Sequence, residues 1–88
     1  MNITIKGSEI CCIADIHEKL ADALGFPEYY GMNLDALHDC LGDISEETSI
    51  TITESDILTH RLGISYEKLM RVLNDIALEN DNLYIIEL

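Results

Sequence analysis

The first segment of the chain, NITIK over residues 2–6, alternates polar and apolar positions, with Ile3 and Ile5 on one side. A period of two sends successive side chains to opposite faces, so the segment reads as a half-buried strand. Gly7 and Ser8 then turn the chain. From Ile13 the period lengthens: Ile13, Ile16, Leu20 and Leu24 recur at helical spacing, with Ala21 and Ala23 beside them. Ala14 and Asp15 lie at the start of this helix, where a carboxylate suits the positive end of the dipole. Gly25 fits the position just past its end. Pro27 stops any continuation, because its ring disfavours helical backbone at Phe26.

Tyr29, Tyr30 and Gly31 follow as a loop, and Asn33 is a good N-cap for a second helix over Leu34–Leu41. Leu34, Leu37 and Leu41 form its apolar stripe, with Cys40 packed alongside. Gly42 to Glu47 is a polar connection. Thr48–Thr53 alternates again, with Ile50 and Ile52 facing one way, and predicts a second strand. Ser55 is the expected cap of a short helix over Asp56–Leu62 that Gly63 ends. Ser65 is the expected cap of the longest helix, with Tyr66, Leu69, Val72, Leu73 and Ile76 inward. Leu83–Leu88 reads as a third strand. Helical connections between successive strands imply parallel pairing through crossovers. The prediction is an α/β fold, a small three-stranded parallel sheet packed with about four helices, in a single domain spanning 1–88. Strand order stays open.

Composition adds a strong constraint. Seventeen acids face five lysines and arginines, a net charge of −12. Binding phosphate requires a basic footprint, so nucleic acid and anionic membrane surfaces are poor partners. Residues 20–60 contain nine of the acids and no lysine or arginine. Solubility alone would not concentrate the excess in one segment, and a basic partner is the natural complement of such a field. Three cysteines, two of them neighbours, fit no secreted disulfide framework. The N-terminal residues lack an apolar core of signal-peptide length, and no apolar run reaches membrane-spanning length. A reduced, cytoplasmic protein is expected.

The second helix carries the anomaly. Asp35 and Asp39 are four apart and share a face, and Asp43 would extend their row. Like charges at this spacing cost a few tenths of a kcal/mol (about 0.2–0.5) per pair. Asp35 gains from the helix N-terminus, whereas Asp39 lies too far along to do so. A solvated helix face is the plain explanation; a functional face explains better why Asp39 tolerates a locally unfavourable place. Of the two tyrosines before the helix, one ring is expected in the core and the other presented.

Other chemistries fare worse. A glycosidase-type carboxylate pair needs two environments and a cleft, not one exposed helix face. His17, His38, His60 and the cysteines show no metal-ligand spacing, and acids four apart do not make a calcium loop. His17 is expected on a helix surface and His60 at a helix end. Cys40 and His38, two apart, point to different faces, so a nucleophile–base pair fails. Cys11 and Cys12 are expected to pack before the first helix, with room for one of them to be partly exposed. No glycine-rich phosphate loop occurs. No cofactor or metal is implied.

PEYYGMNLDALHDCL, residues 27–41, resembles the defining segment of the barstar family, intracellular inhibitors of a secreted bacterial ribonuclease. ITIKGSEI, the IADIHEKL helix and the final NLYIIEL strand resemble that family in place and spacing, with about one residue fewer in the second half. The resemblance implies three parallel strands with helices, no catalysis, and a 1:1 complex of an otherwise monomeric protein with a basic microbial ribonuclease. It implies that acids of the helix stand in for RNA phosphates. Asp39 would then be the central mimic, and Asp35 would pair with a neighbouring arginine. Tyr29 would stack at the catalytic histidine, with Tyr30 beside it. Gly31, Asn33 and Gly42 would shape the contact loops, and Asp75 of the last helix would complete the set. Three positions depart: His38 stands where the family has a tryptophan, Ile44 where it has another aromatic, and Asp43 where it has a glycine. The anchors are kept while their surroundings change, which leaves room for a different partner. An acidic binding module for another basic protein is the competing expectation.

Overall fold

The computed structural model describes residues 1–88. Three strands, β1 (Asn2–Lys6), β2 (Thr48–Thr53) and β3 (Leu83–Glu87), form one sheet in the order β1-β2-β3, with both neighbouring pairs parallel. Helices α1 (Ile13–Leu24) and α2 (Leu34–Gly42) connect β1 to β2. Helices α3 (Ser55–Leu62) and α4 (Ile64–Glu79) connect β2 to β3. The α/β fold predicted from the periodicities is the fold observed, and the order left open puts β2 in the centre.

All-parallel sheets are usually covered on both faces, and their strands then read as continuous apolar runs. Here the strands alternate because only one face is covered. Ile3, Ile5, Ile50, Ile52 and Leu83 are buried, while Asn2, Thr4, Lys6, Tyr84 and Ile86 are exposed on the other side. The buried face meets Ile16 and Leu20 of α1, Leu37 and Leu41 of α2, Leu58 of α3, and Tyr66, Leu69, Met70, Leu73 and Ile76 of α4. Each such Ile or Leu contributes at most about 1.5–3 kcal/mol on burial.

Local chemistry explains most ends. Gly25 adopts φ 67°, ψ 41° beyond α1, a left-handed conformation that costs glycine nothing. Gly7 sits where a Cβ would collide with the Glu54 carbonyl, so glycine lets the turn after β1 approach the end of β2. Two expected caps are corrected. Ser55 is the first residue of α3, and its N-cap is Glu54 at φ 56°. Ser65 lies inside the first turn of α4, because Gly63, which ends α3, also caps α4. The chain reverses so tightly at Gly63 that no residues remain for a separate cap. Cys11 and Cys12 are exposed, not packed. Their backbone N–H groups are drawn instead to the Asp15 carboxylate, at 2.8 and 3.4 Å.

Candidate functional site

Leu37 and Leu41 set the orientation of α2. Both are fully buried, which turns Asp35, His38, Asp39 and Gly42 to solvent. Asn33 starts the helix: its Oδ1 accepts from the Ala36 N–H at 2.8 Å, and its Nδ2 donates to the Gly31 carbonyl at 3.4 Å. One side chain thus fixes both the helix N-terminus and the loop before it. Between them Met32 holds φ 50°, which costs a non-glycine residue about 1–2 kcal/mol. The bonds on either side hold it there.

The two tyrosines divide as expected. Tyr29 is 87% exposed. Tyr30 turns inward, against Phe26 at 4.9 Å between ring centroids, with its hydroxyl 2.6 Å from His17 Nδ1. His17 is therefore not a surface residue of α1. It is buried because Tyr30 folds back over it from the loop. Burial pushes the Tyr30 hydroxyl up to about 12, with the Cys40 thiol adding to the shift. Burial likewise lowers His17 below its ordinary 6.5. A phenol that keeps its proton beside an imidazole that stays neutral is a matched pair. Cys40 is half-buried next to them, and burial raises its thiol, followed by the charges of Asp39 and Asp43.

The acids of α2 are left without cations. Two ion pairs form in the structure, the Met1 amino group with Glu46 and Lys19 with Glu9, and the His38 ring lies against the Glu79 carboxylate. Asp35, Asp39, Asp43 and Asp75 join none of them. Asp75 and Glu79 are one turn apart on α4, both exposed. Glu79 Oε2 lies 3.3 Å from His38 Nε2, which ties the acidic face of α4 to that of α2.

Between the two helices lies an open depression of about 540 Å³ lined by His38, Asp39, Gly42, Asp43, Glu79 and Asn80. No apolar residue lines it. The structure thus brings His38, Asp39, Gly42 and Asp43 together. Tyr29, Gly31, Asn33 and Asp35 gather at the other end of α2. Ile44 is half-buried against the core, and Asp75 lies one turn back along α4. Sequence reasoning missed Glu79 and Asn80. The four-residue spacing of Asp75 and Glu79 was a signal for the first. Nothing in the sequence marks Asn80, whose contacts reach residues 36 to 39 positions away.

Fold and site define a small α/β protein that presents an unneutralised acidic helix beside an exposed aromatic loop. No helix is long and apolar enough to cross a membrane. The chain belongs to the barstar family: the family model described as barstar (barnase inhibitor) matches residues 1–85. It is also similar to the Bacillus subtilis (strain 168) protein named "Putative ribonuclease inhibitor YrdF". That relative is 34% identical over 74 residues, covering 83% of this chain and 81% of its own. Family and relative together support a ribonuclease-inhibitor role.

Proposed function

We propose that the protein blocks the active site of a basic, extracellular-type microbial ribonuclease in a 1:1 complex formed in the cytoplasm. The observation that carries this reading is the row of exposed α2 carboxylates with no cation of their own. A ribonuclease site binds phosphodiesters with arginine, lysine and histidine, and a carboxylate offers such groups the same charge-assisted, often bidentate, hydrogen bonds. Asp39, on the wall of the depression, is the central phosphate mimic. Asp35 pairs with a cation toward the N-terminal end of α2, and Asp43 and Asp75 widen the field. Tyr29 supplies a rigid exposed ring at the rim. Gly31, Asn33 and Gly42 shape the approach of the backbone. Tyr30 contributes by holding the loop, and Ile44 offers only its exposed part. The protein acts by binding, not turnover.

His38 is where this chain selects its partner. Its Nε2 lies 3.3 Å from Glu79 Oε2, so its ring stands on the rim of the depression beside Asp39 and Asp43, where it meets whatever approaches them. His38→Gln is expected to change which ribonucleases of a panel are inhibited, and an unaltered pattern of inhibition in the variant would remove His38 from the account.

The main test is RNA cleavage by a panel of small basic microbial ribonucleases, with and without the protein. Asp39→Ala, with its fold intact by circular dichroism, is expected to weaken inhibition about 10- to 100-fold. That is the loss of one charged hydrogen bond, about 1.5–3 kcal/mol. Full inhibition by Asp39→Ala would sink the phosphate-mimic mechanism. An acidic module aimed at a different basic protein is the second reading, favoured by the changed residues at His38, Asp43 and Ile44. It would show as no inhibition of any ribonuclease by the wild-type chain.

A further inference from the structure

We propose that Asn80 is a positioning residue for inhibition: it sets how far the exit of the acidic helix α2 stands from the last turn of α4. The inference rests on the ribonuclease-inhibitor reading for its functional part and on hydrogen bonds of the free protein for its structural part.

The last carbonyls of a helix have no partner within it. Those of α2 are not closed by a left-handed glycine. Gly42 is the final helical residue, and Asp43 after it stays right-handed at φ −91°, ψ −2°. The side chain of the residue that follows α4 bonds to these carbonyls instead. Asn80 Nδ2 donates to the carbonyls of Leu41 at 3.0 Å, Gly42 at 3.4 Å and Ile44 at 3.0 Å. Its Oδ1 accepts from the Asn82 N–H at 3.0 Å. Carbonyls around one end and an N–H at the other fix which end of the amide is which. Asn82 adds only a long contact to Ile44, at 3.5 Å.

Two ties cross the depression, and they differ in strength. The His38–Glu79 contact is exposed on both sides, where water and salt screen it and it contributes little. The Asn80 amide is half-buried, carries no charge to be screened, and adds a second donor to the Leu41 carbonyl, which already accepts from the Ile44 N–H at 3.3 Å, while also holding that of Ile44. It therefore sets the width of the depression. Asp39 and Asp43 stand on the α2 wall and Glu79 on the α4 wall, so a partner's cations meet acids whose spacing Asn80 determines. Without it the Gly42–Ile44 exit loop moves independently of α4, and binding must then order that loop, at a cost in affinity.

The test has two arms. In the free protein, amide hydrogen exchange at Gly42, Asp43 and Ile44 is expected to accelerate at least tenfold in Asn80→Ala, while exchange in β2 stays as in wild type. In the complex, Asn80→Ala is expected to raise the dissociation rate about tenfold with little change in the association rate, measured where both proteins are fully folded. The loss should be non-additive with Asp43→Ala, which shares the loop, and additive with Asp35→Ala at the far end of α2. Asn80→Ser, which keeps one donor, should fall between, and it carries the test if Asn80→Ala does not fold. Unchanged exchange in the loop would overturn the structural part. Faster exchange with wild-type inhibition would leave Asn80 a purely structural cap and overturn the functional part. A wild-type chain that inhibits no ribonuclease would instead remove the underlying reading and leave the exchange result standing.

Discussion

At the scale of single residues, the pair that connects stability to the site is His17 and Tyr30. The imidazole is 2% exposed and its Nδ1 rests 2.6 Å from the phenol, so protonation would bury a charge. The folded form holds His17 below its ordinary 6.5. As pH falls, the unfolded chain takes the proton first, so stability is full above about 6.5. It drops as the pH descends toward the folded value and levels off below that. Asp15 and Glu54 act in a separate window. The Cys11 N–H holds the Asp15 carboxyl below 3.8, and bonds from Ser8 hold that of Glu54 below 4.5, so their contributions disappear only in stronger acid. Urea midpoints followed from pH 7.5 to 3 should therefore fall in two stages. His17→Gln should abolish the first stage and keep the second. His38 and His60 are common to both proteins, so persistence of the first stage in His17→Gln would mean that another group sets it. Tyr30→Phe leaves the buried imidazole without its partner and should cost about 1–3 kcal/mol at neutral pH.

At the scale of elements, legibility followed how local the determining interaction is. α1, α2, the three strands and their parallel pairing were all readable, because apolar spacing and nearby turn residues set them. Asn33 was recognisable as a cap because its partner, Ala36, is three residues away. Asn33→Ala should cost about 1 kcal/mol by thermal or urea unfolding. It should also weaken inhibition, since the same side chain holds the Gly31 carbonyl. Ser65→Ala, by contrast, should change stability by no more than about 0.5 kcal/mol, because Gly63 occupies the cap. That position was misread since serine before an apolar run is a cap signal only when the chain has room to enter the helix. The candidate site divides the same way. Its α2 half, Asp35 to Asp43, could be read from i, i+4 spacing. The burial of His17 by Tyr30, the His38–Glu79 pair and the Asn80 bonds depend on how α1, α2 and α4 come together, which no local pattern encodes. Cys11 and Cys12 differ from expectation for a related reason: cysteine tends to be buried, but here Asp15 claims the backbone N–H groups of both and holds them at the exposed start of α1.

At the scale of the whole molecule, charge distribution and size decide how a partner is found. All five lysines and arginines lie outside residues 20–60, so the segment that includes α2 carries nine acids and no lysine or arginine of its own. The molecule measures 32 × 26 × 19 Å. At 0.01 M salt the Debye length, about 30 Å, spans nearly all of it, and an approaching basic protein feels the full −12. At 0.1 M the length is about 10 Å, so only the nearest face counts; at 1 M it is about 3 Å, and little steering survives. The association rate with a target ribonuclease should therefore fall more than tenfold between 0.01 and 0.5 M salt, with a smaller change in dissociation. Stopped-flow mixing over that range measures both. The location of the field can be checked separately from its existence. Asp75→Asn, on α4 beside the depression, should slow association measurably at low salt. Glu9→Gln should not, because Glu9 lies before α1 within reach of Lys19. Equal slowing by the two substitutions would mean that net charge alone draws the partner in, and that the acidic face gives the encounter no direction.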